Sequence, residues 1–259
     1  MKPLRDTATL FNLMRAQELG GRKECLALLR SGAVEWAHEP EDETIEPADF
    51  AWTTERDGGT VLATPGLWIR CNGLALPVLP ALYLALNKPA GVECSRKSHS
   101  HESVFAFFPE PFIQRGLQPV GRLDADTTGL LLLTDDGLFN HAVTSPRRKQ
   151  PKVYRVGLKH PLTDAQILAL EQGVILRDDP RPTEPATVRR LDDRTADITI
   201  SEGRYHQIKR MGAAVGNRVE SIRRIAVGPL GLGDLPEGEW RFLTHDEVSA
   251  LSLQGEGDG

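Results

Sequence analysis

The sequence predicts an α+β fold in which a small first module precedes a larger one, built on a mixed, largely antiparallel sheet flanked by helices. Strand-like and helical runs alternate at intervals too irregular for a repeating βαβ unit, which favours antiparallel pairing. Pro77 and Pro80 follow the first set of elements and predict a linker. With 259 residues, of which 40% are hydrophobic, the chain is long enough for two cores. We therefore expect domains at 1–78 and 79–253.

The first module opens with a predicted pair of short helices, separated by a helix stop at Gly20 and Gly21. Apolar residues recur at helical spacing on both sides of this stop, namely Leu10, Leu13, Met14, Leu26 and Leu29. A strand at 67–70 and a turn at Asn72 and Gly73 complete the module. The second helix carries three basic residues, namely Arg22, Lys23 and Arg30. This pattern of apolar and basic residues is also typical of an ordinary pair of helices.

The second module opens with a strand from Tyr83 that a turn containing Pro89 ends. Further elements are predicted as strands at 130–133, 152–156 and 196–201 and a helix at 138–143. Another helix is predicted from Tyr205 to a glycine cap at Gly216. The Thr-x-x-Glu spacing of a capping box starts a last helix near Thr244.

The charge is unevenly distributed along the chain. The formal net charge of -5 is unfavourable for a nucleic-acid partner. However, acidic residues concentrate in 39–49 and in a tail at 254–259 that we expect to be disordered. The segment 145–155 holds five basic residues and no acid, and a second basic cluster runs from Arg204 to Arg224. Such patches permit nucleic-acid binding, although most charge runs are only solvated faces.

Several classes of protein are disfavoured by the sequence. The N-terminus lacks the apolar stretch of a secretory signal, and the longest apolar run, 74–86, is too short to cross a bilayer. We expect a cytoplasmic protein with no membrane partner. The three cysteines are widely separated, and His99 and His101 have no third ligand nearby, so neither a disulfide framework nor a metal site is expected.

A carboxylate in a polar loop is the first candidate for chemistry. Asp124 lies in the Gly- and Thr-rich segment GRLDADTTGL, directly before a strand that reads as buried. A carboxylate held there can be partly dehydrated and still be reached by a ligand. By itself the segment is also typical of an ordinary turn at a strand entry. Asp126 could join Asp124 as the acid/base pair of a hydrolase, but residues so close in a loop have no guaranteed separation.

Two later segments add an aromatic ring and cations. In the strand KVYRV, Lys152 and Tyr154 face the same way, an arrangement that suits a flipped base with phosphates nearby. Tyr154 could equally be a half-buried strand aromatic. In SEGRYHQIKRM, the residues Arg204, Lys209 and Arg210 cluster where a strand gives way to a helix. A solvated basic helix face is the alternative.

Together with LNKPAG at 86–91, these segments resemble, in the same order, the motifs of the pseudouridine synthases that modify ribosomal RNA. The resemblance covers about 83–253. The form ISEGRYHQIKRM is similar to the RsuA-type branch, which modifies 16S rRNA. Residues 21–34 resemble the helix-turn-strand core of an S4-type RNA-binding module.

The resemblance implies that Asp124 is catalytic, that Lys209 pairs with it and that Tyr154 packs against the target uracil. Arg122 would fill the gap left by the flipped nucleotide. Further substrate contacts are implied at Thr128, Lys152, Arg204, His206, Gln207, Ile208 and Arg210. Other RNA contacts are expected at Arg22, Lys23, Arg30, Arg147, Arg148 and Lys149.

The resemblance also implies a reaction and a partner. A uridine would be isomerised to pseudouridine by a monomer without cofactor or metal, in 16S rRNA within an assembling small subunit. A synthase acting on 23S rRNA and a non-catalytic rRNA-binding assembly factor are the alternatives. The presence of Asp124, Tyr154 and Lys209 together argues against the factor, because a binding module does not need all three.

Overall fold

The computed structural model describes residues 7–40, 46–54, 56, 59–63, 65–98 and 100–253. The chain divides into a first unit, Met1–Leu82 with Pro109–Leu117, and a second unit, Tyr83–Phe108 with Gln118–Gly259. The division therefore falls after Leu82, not after residue 78 as predicted, and the first unit takes in a later segment. His99 and the acidic tail at 254–259 lie outside the described residues.

The first unit contains short helices and strands. Its helices are α1 (Leu10–Ala16), α2 (Arg22–Ser31) and α3 (Glu110–Gln114), and a 3-10 turn covers Pro47–Asp49. Its strands are β1 (Thr7–Thr9), β2 (Val34–His38), β3 (Thr53–Thr54), β4 (Thr60–Leu62), β5 (Leu67–Cys71) and β6 (Leu74–Pro77). Four of them form an antiparallel sheet in the order β3-β2-β5-β6.

The predicted helical pair is present in the first unit. Gly32, with φ 73°, ends α2 and turns the chain into β2. The side of α2 facing the core is formed by Cys25 and Leu29, whereas Leu26 is only half-buried. Apolar residues of α1, α2 and the sheet pack into one cluster that includes Leu10, Leu13, Met14, Val34, Leu67 and Ile69.

The linker prediction was wrong for one proline. Pro77 is the last residue of β6 and pairs with Trp68, so it belongs to an edge strand. The segment Pro109–Leu117 joins the first unit because the Arg115 guanidinium donates to Gln17 and to the Leu79 carbonyl. These contacts connect residues far apart in sequence, which explains why local patterns did not reveal them.

The second unit is organised around a nine-stranded sheet. Its strands are β7 (Tyr83–Lys88), β10 (Gln118–Pro119), β11 (Thr128–Thr134), β12 (Lys152–Leu158), β15 (Thr187–Arg190), β16 (Thr195–Ile200), β17 (Val219–Val227), β18 (Leu230–Gly231) and β19 (Trp240–Phe242). Outside this sheet lie β8 (Val92–Glu93), β9 (Glu102–Ser103), β13 (Ile175–Leu176) and β14 (Asp179–Pro182).

The main order of this sheet is β15-β16-β12-β17-β11-β7-β19. Among its pairs, β11 and β17 run parallel and the others run antiparallel. The prediction of a mixed, largely antiparallel sheet is therefore confirmed. Because β11 lies inside the sheet and is covered on both faces, its sequence TGLLLLT is almost continuously apolar and buried.

Helices flank the sheet of the second unit and complete its cores. They are α4 (Gly137–Thr144), α5 (Asp164–Gln172), α6 (Gln207–Ala214) and α7 (His245–Leu253), with 3-10 turns at Val104–Phe107 and Pro146–Arg148. One core cluster includes Leu170, Ile198, Ile208 and Met211, and another includes Leu130, Phe139, Val143 and Leu251. None of the described helices is long and apolar enough to cross a membrane.

The boundaries of two helices test particular predictions. The capping box at Thr244 is confirmed, because Thr244 and Glu247 exchange hydrogen bonds of 2.9 and 3.2 Å between side chain and backbone. In contrast, α6 begins at Gln207, not at Tyr205. Tyr205 precedes the helix, is 72% exposed and stacks on the ring of His206.

Gly129 at the start of β11 is a position that we expect to reject any side chain. Its φ is 98°, and a Cβ there would lie 2.2 Å from the backbone oxygen of Arg224. Gly129→Ala should therefore lower the free energy of unfolding by about 2 kcal/mol or more. Gly137→Ala is the matched control, since a Cβ at Gly137 meets no atom within 4 Å. Urea unfolding should separate the two variants, and equal midpoints would contradict the expectation.

Candidate active site

Asp124 lies in the loop that connects β10 to β11. The Thr127 amide donates to the Asp124 carbonyl at 3.0 Å, so the chain turns immediately after Asp124. The Asp124 side chain is 31% exposed, whereas its neighbours Leu123 and Thr127 are buried. The loop is thus anchored on both sides of a carboxylate that solvent and ligands can reach.

A buried ammonium group supports this loop from beneath. Lys88, at the end of β7, is completely buried. Its Nζ donates to the carbonyl oxygens of Pro89 and Val92 at 2.8 Å and of Ala125 at 3.2 Å. Burial lowers the pKa of Lys88. Through Ala125, Lys88 connects the LNKPAG turn directly to the residue after Asp124.

Two side chains of the third motif approach Asp124. His206 Nε2 lies 3.3 Å from Asp124 Oδ1, and Lys209 Nζ lies 3.7 Å from Asp124 Oδ2. Lys209 is closer to Asp126, with Nζ 2.7 Å from both of its carboxylate oxygens. The hydrogen bond from Lys209 lowers the pKa of Asp126. The predicted pairing therefore needs correction, because Lys209 is shared between the two carboxylates and bonds more closely to Asp126.

The turn before α6 is built by polar residues predicted to bind substrate. Gln207 is buried, accepts from the Arg204 amide at 2.8 Å and donates to Glu202 at 2.6 Å. The Arg204 guanidinium bonds to Glu202, Asp179 and the carbonyls of Arg181 and Pro182. The polar groups of Arg204 and Gln207 are thus engaged within the protein, and we assign them to the structure of the turn.

Tyr154, Lys152 and Arg224 meet on the central strands. Tyr154 in β12 is paired with Arg224 in β17 and with Ile198 in β16. Directly paired residues of antiparallel strands project from the same face of the sheet. Lys152 lies two residues before Tyr154 in the same strand, so its side chain projects from that face as well. Burial and the charge of Arg224 lower the pKa of Lys152 to about 8.

Two adjoining cavities open between these elements. The smaller, of about 100 Å³, is lined by residues that include Asp124, Tyr154, His206, Ile208 and Lys209. The larger, of about 540 Å³, is lined by Lys152 and Arg224 among others, and Arg122 and Tyr154 contribute to both. The carboxylate, the aromatic ring and the cations therefore line two neighbouring cavities of a size that suits a small ligand.

Other predicted site residues lie elsewhere. The Thr128 hydroxyl lies 3.4 Å from the Ile222 carbonyl, and its neighbour Thr127 lines the smaller cavity instead. Arg210 donates to the Tyr205 carbonyl at 3.2 Å and lines neither cavity.

The predicted basic residues outside the cavities fall into two groups. Arg148 bonds to the Ser252 carbonyl, Lys149 pairs with Glu184 at 2.8 Å, and Arg147 is exposed. In the first unit, the exposed cations of α2 are Arg22, Lys23 and Arg30.

Three residues at the site were not singled out from the sequence: Lys88, Asp126 as the partner of Lys209, and Arg224. Lys88 belongs to the quoted LNKPAG segment and Arg224 ends a noted basic cluster. Motif context was therefore the available signal, but nothing local showed that either side chain would be buried.

The chain is similar to known proteins over much of its length. The family model described as RNA pseudouridylate synthase matches residues 82–214. A Haemophilus influenzae protein named ribosomal small subunit pseudouridine synthase A is 45% identical over 65% of this chain and 73% of its own length. A Yersinia pestis protein of the same name is 43% identical over 74% and 83%. A crystal structure of a pseudouridylate synthase matches with a TM-score of 0.64 and 35% identity, covering 94% of this chain and 99% of that one.

We expect the removal of Lys209 to cost little stability, because both its carboxylate partners reach solvent. Asp126 is 68% exposed, so Lys209→Met should lower the free energy of unfolding by less than about 1 kcal/mol at pH 7. Since the pKa of Asp126 is lowered in the folded state, this contribution is present above the ordinary aspartate pKa and disappears as the pH falls through the lowered value.

Urea unfolding across the acidic range measures this difference, with Lys209→Arg as the charge-preserving control. A loss of 3 kcal/mol or more at pH 7 would instead indicate a buried ion pair.

Proposed function

The chain belongs to the RNA pseudouridylate synthase family, and from this premise we propose that it converts a uridine of 16S ribosomal RNA to pseudouridine with Asp124 as the catalytic carboxylate. The observation that carries the proposal is the position of Asp124 on the wall of a small cavity that Tyr154 also lines, beside Lys209 and His206. The cavity and its groups fit a single extruded base.

The reaction is an isomerisation that needs no net change of atoms. The N1–C1′ bond of the uridine breaks, the uracil turns, a C5–C1′ bond forms, the C5 proton leaves and N1 gains a proton. A stacked nucleotide would hold its sugar out of reach of Asp124, so the target must leave its stack. The residues around Asp124 must therefore both bind an extruded nucleotide and keep the detached uracil in place.

Asp124 has the position needed to act on the sugar. Its carboxylate can add to C1′ as the glycosidic bond breaks, or it can take the C2′ proton to give a glycal. Both routes require the anionic form. The positive charge of Lys209 lies 3.7 Å from the carboxylate, and the imidazole of His206 at 3.3 Å can donate a hydrogen bond to it.

Tyr154 and Arg122 line the cavities and have different roles toward the extruded nucleotide. Tyr154 lines the cavity shared with Asp124 and also packs against the apolar cluster under β12 and β16. A ring fixed in this way can hold the uracil during its rotation. Arg122 is exposed and lines both cavities. We assign it to the space that the extruded nucleotide leaves.

The choice of 16S rRNA is supported by the names of the Haemophilus influenzae and Yersinia pestis relatives, which specify the small ribosomal subunit. We propose an assembling subunit as the preferred form, because extrusion is least costly where a base is loosely stacked. Such a substrate is consistent with a cytoplasmic monomer. A 23S substrate is the alternative within the family.

The first unit fits a role in RNA affinity rather than chemistry. Its helix α2 exposes Arg22, Lys23 and Arg30, and the turn at Gly32 leads from α2 into a strand as expected for an S4-like module. The Arg22 guanidinium lies 6.0 Å from the Phe11 ring centroid. We propose that these cations contact phosphates of the same rRNA.

The function is tested by mapping pseudouridines after incubation with 16S and 23S rRNA, each free and in ribonucleoprotein form. We expect one modified uridine in 16S rRNA, formed fastest in a partly assembled particle. Asp124→Asn preserves size but removes the anion, so it should reduce the single-turnover rate by several orders of magnitude while RNA binding remains. Modification confined to 23S rRNA would overturn the substrate, and normal turnover by Asp124→Asn would overturn the catalytic assignment.

The role of α2 is tested by the salt dependence of RNA binding. Replacing Arg22, Lys23 and Arg30 together by Gln should weaken binding to 16S rRNA and flatten the plot of log affinity against log salt. Each lost phosphate contact should reduce the slope by roughly 0.7 to 0.9. Turnover at saturating RNA should remain. An unchanged slope would exclude phosphate contacts by these three residues.

A further inference from the structure

The guanidinium of Arg224 is a buried cation of the second unit. Only 2% of this residue is exposed, and its Nε donates to the Leu130 carbonyl at 2.7 Å. Its Nη2 is buried with no hydrogen-bond partner among the described residues. A buried charged donor without an acceptor is costly. Arg224 also lines the larger cavity, so its positive charge lies at the wall of a space that a ligand can enter.

A second cation lies beside it. Lys152 lines the same cavity, and the only hydrogen bond of its side chain in the described structure is from Nζ to the Gln150 carbonyl at 2.8 Å. Neither Lys152 nor Arg224 has a described carboxylate within ion-pair distance. Burial lowers the pKa of Lys152, and the like charge of Arg224 lowers it further.

The carboxylates of the cavity wall do not neutralise this pair, because they are engaged with other cations. Glu184 pairs with Lys149 at 2.8 Å, and Glu202 pairs with Arg204 at 2.9 Å. The remaining excess of positive charge faces the larger cavity beside Tyr154.

We propose that Lys152 and Arg224 form an anion site for one backbone phosphate of the RNA strand, adjacent to the nucleotide held against Tyr154. The inference rests on the proposed function, since Tyr154 must hold the extruded uridine for a neighbouring phosphate to reach the larger cavity. It assigns to Arg224, a residue outside the recognised motifs, a direct contact with substrate.

A phosphodiester matches this site better than a base does. It carries a full negative charge and has two free oxygens, so it can accept from the ammonium and the guanidinium together. A neutral uracil carbonyl could accept one hydrogen bond but would leave both charges uncompensated. Because Tyr154 borders both cavities, the base and the phosphate of one strand can occupy them at the same time.

The test uses the full chain and a short oligouridylate in which each phosphodiester in turn is replaced by an uncharged methylphosphonate. At the contacted linkage, replacement should weaken binding to the wild type roughly tenfold. Lys152→Gln should bind the unmodified RNA more weakly and show a smaller loss than the wild type at that linkage, because Arg224 alone then contacts the phosphate. Arg224→Lys, which keeps the charge but loses the fork of donors, should show a reduced loss.

Lys159→Gln is the matched control, because Lys159 is exposed and lies just beyond the end of the same strand. It should respond to the methylphosphonates as the wild type does. The inference is overturned if no linkage is sensitive in the wild type, or if Lys152→Gln loses as much as the wild type at every linkage. A full tenfold loss in Arg224→Lys would remove Arg224 from the site.

Pseudouridine formation in 16S rRNA is measured in parallel with the wild type. Formation of pseudouridine without any linkage effect refutes the phosphate site alone. A linkage effect without pseudouridine refutes the proposed reaction while the anion site stands.

Discussion

The candidate active site depends on the buried ammonium of Lys88. A fully buried lysine is costly unless its charge is solvated by the protein, and here three backbone carbonyls perform that role. One of them belongs to Ala125, the residue after Asp124. The hydrogen bonds that compensate for the burial of the Lys88 charge thus also fix the loop that carries Asp124. The position of the carboxylate is set by the sheet rather than by the loop alone.

The polar residues of the third motif divide into two groups with different roles. Arg204 and Gln207 are hydrogen-bonded to each other and to Glu202, and these bonds fix the turn before α6. His206 and Lys209, which flank Gln207, then face the carboxylates. The third motif is therefore not a single binding surface. The hydrogen bonds of Arg204 and Gln207 hold the turn, and the turn positions His206 and Lys209.

The distribution of charge explains how an acidic protein can bind RNA. Many cations in and around the wall of the larger cavity are paired with carboxylates. Their positive charge is therefore neutralised and contributes little to the binding of a ligand. Arg122, Lys152 and Arg224 lack such partners among the described residues, and they lie around the space next to Asp124. Affinity for phosphate is set by these local charges, because salt screens charges more than about 10 Å away.

The sequence by itself determined the main elements of the second unit and marked Asp124 as the candidate catalytic residue. Periodicity located β11, β12, β16 and α4 to within a few residues, and the motif around Asp124 marked the loop at the entry to β11. These features depend on neighbouring residues, whose spacing and turn chemistry are legible along the chain.

Only the tertiary structure decided which charges are free and which are paired. Lys209 bonds more closely to Asp126 than to Asp124. The Arg204 guanidinium is hydrogen-bonded within the protein. Arg224 is buried, and its Nη2 has no hydrogen-bond partner among the described residues. The partners of these groups come from segments dozens of residues away, brought together by the order of strands in the sheet. Burial and pairing are properties of that assembly, so no local pattern encodes them.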